Sequence, residues 1–405
     1  MIAATLHHVR IPFKKPFGHV IATRHDAEAI VLVIDTDDAS GVGECVPRSY
    51  VTGETFESVW DAIVGTNLSA VWNKVDHTSR AGLAGSVERL ALPELLRSNV
   101  LGLAAGCAVE LALLDLGCTL GGWRLSELAF AMGLPSDLLD AGPLPETISI
   151  PLDLRTEPHE LAHYVGSRLG NLKIKVGADL ASDVRRVREC REIFGSSVSM
   201  SVDANMAWSV DDAVQAADAL QPFQIGWYEE PLHESMRHRY RELRDRTGIA
   251  VMLDEAACSF PQTEQAIEAG ACDLINIRLS KCGGYLASLR LAGLARSAGV
   301  RFQHGSQVGQ LGFLNAAGRN FTSIVNGIVA CEGGPGLANL TDFPTRTKVE
   351  LDWNVGHLVG LSGPGLGAAP DRSKLRAYSI RSASWNGSSW NEIAGPASAG
   401  LEAAL

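Results

Sequence analysis

From about Ile148 onward the chain alternates short apolar runs, each closing on a polar or charged residue, with amphipathic stretches of a dozen or so residues. The runs end near Lys175, Asp203, Glu229, Asp254, Lys281, His304 and Glu332, so successive ends lie 28, 26, 25, 27, 23 and 28 residues apart. With a first run at Ile148 to Asp153, this makes eight strand units of nearly constant period. Strand followed by helix at that spacing is the unit of a parallel sheet with right-handed crossovers. Eight units predict a closed barrel in preference to an open doubly wound sheet, whose G-x-G-x-x-G turn follows none of these strands.

The first 140 residues have a different texture. Ala29 to Asp35 is a β-branched apolar run, followed by a turn at Asp37 to Gly41 and a second short run ending at Cys45. That is the pattern of a hairpin. From Thr55 to Leu128 the apolar spacing becomes helical, and Ala104 to Leu116 carries an apolar face with Glu110 and Asp115 set in it. Beyond Trp353 the chain is rich in Gly, Ser and Pro, and Ser384 to Leu405 reads as a loose tail.

Composition narrows the classes. A net charge of -11 with no basic cluster argues against a protein that tracks phosphate backbones. The most apolar stretch, Leu101 to Leu120, contains Glu110 and Asp115, costly in hydrocarbon, and Met1 to Phe17 has no signal-like apolar core. The eight cysteines are scattered without a C-x-x-C pair, as small buried hydrophobes are in a reducing compartment. The expectations are a cytoplasmic protein with no nucleic-acid or membrane partner.

In a barrel of this type the reacting groups stand at the C-terminal ends of the strands. Lys173 and Lys175 in Leu-Lys-Ile-Lys-Val-Gly are two apart, so both face the barrel mouth, while Leu172, Ile174 and Val176 face the outer helices. Asp203, Glu229 and Asp254 end three successive strands. Three converging carboxylates need a cation, and hard oxygen donors without His or Cys suit Mg²⁺ better than zinc. The adjacent pairs Glu229/Glu230 and Asp254/Glu255 leave open which member turns inward. Lys281, in Leu-Ser-Lys-Cys-Gly-Gly, stands across the ring from Lys175. A divalent cation flanked by lysines suits removal of a proton next to a carboxylate, given a lysine pKa lowered by Lys173 and the metal.

The order K-x-K, D-x-N, E-E-P, D-E, K-x-G-G and Gly363-Pro364-Gly365-Leu366-Gly367, preceded by Ala108-Val109-Glu110-Leu111-Ala112-Leu113-Leu114-Asp115-Leu116, resembles the enolase superfamily in its muconate-lactonising subgroup. The resemblance implies an α/β fold: an α+β capping domain (1–140), a modified (β/α)7β TIM-type barrel (141–352), and a C-terminal segment (353–405) returning to the cap. It implies Lys175 and Lys281 as acid/bases, Lys173 as an auxiliary near the substrate carboxylate, and Asp203, Glu229 and Asp254 as ligands of Mg²⁺, with Mn²⁺ as a substitute. Asn205 would touch metal or substrate. Cap loops around His19 and around Arg48 and Tyr50 would set specificity for a small-molecule carboxylate substrate in a homo-oligomer.

The reaction is less sharply marked. Cys331-Glu332-Gly333-Gly334-Pro335 resembles the pattern of muconate cycloisomerases and lacks the D-x-D pair of dipeptide epimerases. A cycloisomerase is therefore the leading expectation. The rival is a racemase or epimerase of an N-acylamino acid or dipeptide, followed by a syn-dehydratase of the o-succinylbenzoate synthase type and, outside enzymes, a carboxylate-binding barrel. His304, in a seventh unit that departs from the subgroup, is a candidate substrate contact or third acid/base.

Overall fold

The computed structural model describes residues 2–18, 23–96, 100–139, 148–152, 158–160, 169–332, 338–346, 349, 351–352, 357–358, 361 and 363–393. An N-terminal antiparallel sheet is built from β1 (Ala3–Gly18), β2 (Thr23–Asp35) and β3 (Ser40–Cys45). The β-branched run of β2 is buried on both faces, Ala29 to Ile34 having no exposed surface. One face is covered by the helix Leu103–Gly121, which passes so close to β3 that a Cβ on Gly43 would stand 1.9 Å from the Ala108 carbonyl. By length and composition this helix could cross a membrane, but 89% of its most apolar window is buried inside the protein.

The barrel consists of β4 (Ile148–Leu152), β5 (Leu169–Lys175), β6 (Ser199–Asp203), β7 (Tyr228–Glu229), β8 (Val251–Leu253), β9 (Leu274–Ile277), β10 (Arg301–His304) and β11 (Ile328–Cys331). They close in sequence order, β11 pairing with β4, and every pairing is parallel. The periodicity therefore meets its expectation of a closed eight-stranded ring. A two-stranded ribbon, β12 (Leu351–Asp352) with β13 (His357–Leu358), follows.

The expectation of a loose tail from Ser384 is corrected. After the helix Arg372–Tyr378, β14 (Ser379–Trp385) pairs with β1, and β15 (Trp390–Ile393) pairs with β14. The Asn-Gly step at 386–387 is a hairpin signal that the Gly/Ser-rich composition obscures. Its cross-strand partners Trp385 and Trp390 hold ring centroids 5.8 Å apart. Residues 394–405 lie outside the described residues.

Buried carboxylates fasten the N-terminal unit, through backbone donors, to barrel helices and to the C-terminal segment. Glu44 on β3 accepts from the N–H groups of Leu311 (2.6 Å) and Leu314 (2.9 Å), at the start of the helix Phe313–Thr322. Asp115 accepts from Val42 (2.8 Å) and Leu366 (2.7 Å), and Glu110 from Tyr285 at the start of the helix Tyr285–Ser297. Anions at helix N-termini satisfy donors that have no partner within the helix. The two acids that interrupt the apolar helix are thus its docking points.

His7 joins β1 to the returning segment, with Nδ1 2.9 Å from Ser379 Oγ and 3.3 Å from Ser382 Oγ. Burial, with Arg372 and Arg376 nearby, lowers its pKa to about 4. Because the folded value lies below the unfolded one, this contribution is intact above pH about 6.5 and is lost as pH falls towards 4. Urea midpoints should fall across that window in the native protein and fall less in His7→Gln, the difference approaching about 3 kcal/mol. Parallel pH profiles for the two proteins would show that His7 is not the titrating group.

Candidate active site at the barrel mouth

Alternation along β5 sends Leu172, Ile174 and Val176 outward into the helical layer, all fully buried, and turns Lys173 and Lys175 into the barrel. Lys175 Nζ donates to Asp203 Oδ2 (2.5 Å), at the end of the neighbouring strand, and to Asn205 Oδ1 (2.8 Å). Lys173 Nζ lies 2.7 Å from Glu229 Oε2 and 3.9 Å from Asp203 Oδ2, and pairs closely with Glu332. Burial pushes the Asp203 carboxyl up, but Lys175 and Lys173 overcome it and hold the group at about 2. For Glu229 burial prevails over Lys173 and the value rises to about 7. Lys173 is itself held above the ordinary lysine value, because Glu229, Glu332 and Asp203 outweigh the cost of burying its charge.

The ambiguous pairs divide by backbone geometry. Glu230 adopts φ 35°, a left-handed conformation that turns its side chain away from that of Glu229. Glu230 Oε2 accepts from the N–H groups of Asp254 (2.7 Å) and Ala256 (3.1 Å), and its Oε1 from Tyr240 Oη (3.1 Å). It holds the turn that carries Asp254. Glu229 faces the ring interior, accepting from Asn276 Nδ2 of β9 at 2.9 Å. Glu255 reaches the cavity wall, 3.4 Å from Asn205 Nδ2.

Lys281 departs from the strand-end expectation. It lies on a helical turn, Leu279–Cys282, four residues beyond β9, with no exposed surface. Its Nζ donates to the carbonyls of Asp254 (2.7 Å), Asn276 (2.7 Å) and Ala257 (2.9 Å), and stands 3.0 Å from Asp254 Oδ1. The residue that meets the cavity from this side is Arg278, which pairs with Asp254 and lies 3.4 Å from Glu229 Oε1. Lys175 and Lys281 still come from opposite sides of the ring, since β5 and β9 are separated by β6, β7 and β8.

The mouth holds an open, partly enclosed cavity. Lys173, Lys175, Asn205, Glu255, Arg278 and Glu332 line it from the strand ends. Phe17, Arg48 and Tyr50 reach it from the N-terminal unit, and Ser306, Gln307 and Val308 from the loop after β10. His304 is not on the wall: its ring packs against Phe321 and Gly318, and burial lowers its pKa to about 4. His19 lies outside the described residues. Arg278 and Gln307 escaped the reading of the sequence, because a polar residue just past an apolar run carries no mark of the partner it meets across the ring.

Both carboxylate oxygens of Asp254 and Oε2 of Glu229 are buried with cationic neighbours but without a hydrogen bond of ordinary geometry. Such oxygen lone pairs, converging from adjacent strands, fit Mg²⁺ or Mn²⁺. Among the described residues no three His, Cys, Asp or Glu side chains are grouped closely enough to enclose a metal as they stand, and Lys173 and Arg278 lie between the carboxylates. A cation would enter by taking over charge contacts that these two side chains now make.

Residues 159–374 match the family model described as Enolase C-terminal domain-like. The chain belongs to the enolase superfamily. It is similar to the N-succinylamino acid racemase of an Amycolatopsis species, with 30% identity over 378 residues, 90% of this chain and 94% of that protein. It is also similar to a chloromuconate cycloisomerase of Cupriavidus necator, with 24% identity over 373 residues, covering 91% and 96%. Among solved structures, the N-succinyl Arg/Lys racemase of Bacillus cereus superposes with a TM-score of 0.78 over 95% of this chain and 99% of that one, at 23% identity, a likeness of fold. An isomerase of the superfamily is what these relatives have in common, and they include both racemase and cycloisomerase chemistry.

Proposed function

We propose that this chain removes and returns the proton α to the carboxylate of an N-acylated amino acid, as a racemase or epimerase dependent on Mg²⁺ or Mn²⁺. The observation that carries this reading is the placement of Lys175 and Lys281 on opposite sides of the ring, with Asp203, Glu229 and Asp254 on the strands between them. Those three carboxylates would hold the cation. When bound, it would draw off negative charge that develops on the substrate carboxylate as the α-proton leaves. Lys175, on the cavity wall, takes the proton from one face. Lys281 serves the other face once its ammonium leaves the carbonyls of Asp254, Ala257 and Asn276. Asn205 orients Lys175, and Lys173 balances the buried carboxylates. The eight cysteines, all buried and unpaired, fit a reducing, cytoplasmic setting.

One observation favours a second reading, cycloisomerisation. Lys281 is enclosed, so Lys175 alone of the two meets the cavity, and a cycloisomerase needs proton transfer on one face only. Incubation in D₂O with Mg²⁺ separates the two. Racemisation places deuterium at the α-carbon of recovered N-acylamino acid in both configurations, and Lys281→Ala abolishes the inversion. Cycloisomerisation instead yields a lactone from a muconate, deuterated on one face. Undiminished turnover after exhaustive chelation would sink the metal-dependent form of both readings.

A further inference from the structure

The cations that meet the carboxylates of the mouth are not equally well seated. Lys281 Nζ donates to three backbone carbonyls, and Lys175 Nζ to Asp203 Oδ2 (2.5 Å) and Asn205 Oδ1 (2.8 Å). Arg278 is held otherwise. The same nitrogen, Nη2, makes its closest approach to both Asp254 Oδ2 and, at 3.4 Å, Glu229 Oε1, while its Nε is buried without a hydrogen-bond partner. Neither oxygen of Asp254 accepts a hydrogen bond. A guanidinium built onto a carboxylate engages it through two parallel N–H groups, so this pair has charge contact without the fork. Arg278 also has room to move: its side chain is 12% exposed on the cavity wall, and its stem runs so close to the loop after β10 that a Cβ on Gly305 would stand 2.9 Å from its Cγ. A second carboxylate stands on the same wall. Glu255 is buried, its Oε2 has no hydrogen-bond partner, and the positive charge of Arg278 reaches it.

We infer that Arg278 is a place-holder for the divalent cation and that Glu255 is its second seat: an ion entering at Asp254 and Glu229 displaces the guanidinium, which crosses the wall to Glu255. This rests on the assignment of Asp203, Glu229 and Asp254 to the cation, and holds for either of the two reactions. A hard divalent ion takes carboxylate lone pairs directly, and Arg278 now stands against those of Asp254 and Glu229. Left in place beside the ion it would be a like charge, and expelled without a partner it would be an uncompensated buried cation, which is costly. Glu255 removes both costs. It follows Asp254 in the chain, and its free Oε2 offers the moved guanidinium the anion it loses. The metal-free protein thus keeps its carboxylates neutralised, and the ion binds only the fraction of molecules in which Arg278 has moved.

The test titrates Mn²⁺ into the metal-free full chain without substrate and reads the free ion by electron paramagnetic resonance, so that no turnover is needed. Arg278→Met should bind Mn²⁺ about 10 to 100-fold more tightly than the native protein, the gain expected if the moved state is about 1 to 10% of the metal-free population. Arg48→Met takes the same charge from the cavity wall without touching Asp254 or Glu229, and should change the affinity less than about threefold. Glu255→Gln should weaken Mn²⁺ about tenfold in the native background but less than about twofold in Arg278→Met, where no guanidinium needs the seat. Equal or weaker binding by Arg278→Met, or equal tightening by Arg48→Met, overturns the place-holder and leaves the metal-dependent reading standing. A Glu255→Gln loss that persists undiminished in Arg278→Met overturns the second seat, because Glu255 then acts on the ion directly. Absence of Mn²⁺ binding in the native protein and every variant overturns this inference and the metal-dependent reading together. Should Arg278→Met not fold, Arg278→Gln takes its place and should tighten Mn²⁺ at least about threefold; unchanged or weaker binding overturns the proposal.

Discussion

Lys175→Ala is expected to lower kcat/KM for α-proton exchange by about 10³-fold, within the roughly 10² to 10⁴ that a positioned general base contributes. The side chain is on the cavity wall, fixed between Asp203 and Asn205, so its removal takes away a positioned group and leaves the β5 backbone in place. The loss should fall on kcat more than on KM, because Lys173, Arg278 and Arg48 still line the cavity. Asn205→Ala, which frees Lys175 Nζ of one of its two acceptors, should cost less, about tenfold. The measurement is the initial rate of deuterium wash-in on whichever substrate the native protein exchanges. Retention of more than a tenth of the native rate in Lys175→Ala would remove this lysine from the role of base.

The largest effect on stability is expected at Lys173. Its side chain is 2% exposed and provides a counter-charge to Glu229, Glu332 and Asp203. Lys173→Met preserves most of the volume and removes the charge, leaving buried carboxylates without one of their cations. Breaking a buried pair from one side costs about 3 to 5 kcal/mol. Urea denaturation without divalent metal should show a loss of that size, and Mg²⁺ should return part of it by supplying charge to the same carboxylates. Adding Glu332→Gln to Lys173→Met should recover stability, because one uncompensated anion is then gone and the two changes are not additive. A loss of less than about 1 kcal/mol in Lys173→Met would mean that Arg278 and Lys175 already balance the cluster.

Both expectations begin from residues that the linear pattern singles out, and the site shows how far that pattern reaches. Two-residue alternation is a property of a single strand, so Lys173 and Lys175 could be assigned to the interior from Leu-Lys-Ile-Lys-Val alone. The constant spacing of strand ends is likewise local, since each strand-helix unit must return the chain to the same level of the ring. The closed barrel and the order of Asp203, Glu229 and Asp254 around it follow from those two regularities.

Other features depend on what a side chain meets after folding. Glu230 is separated from the role of Glu229 by a left-handed φ and by N–H groups 24 and 26 residues away in sequence. Lys281 sits at the expected point of the repeat, yet the short turn after β9 presents its ammonium to three carbonyls and brings Arg278 to the cavity instead. The strands at Ser379 to Ile393 were hidden by a Gly/Ser-rich composition and become evident only once β14 pairs with β1, at least 370 residues earlier, and β15 with β14.

The sequence by itself determined the barrel, the inward lysines and the presence of acids at three successive strand ends, because strand alternation and unit length act within a few tens of residues. The tertiary structure alone decided which charges are balanced. The ion pairs at the mouth join different strands of the ring, and only their geometry reveals that Lys173 and Arg278 balance the buried carboxylates, whereas Arg48 reaches the cavity held by two backbone carbonyls.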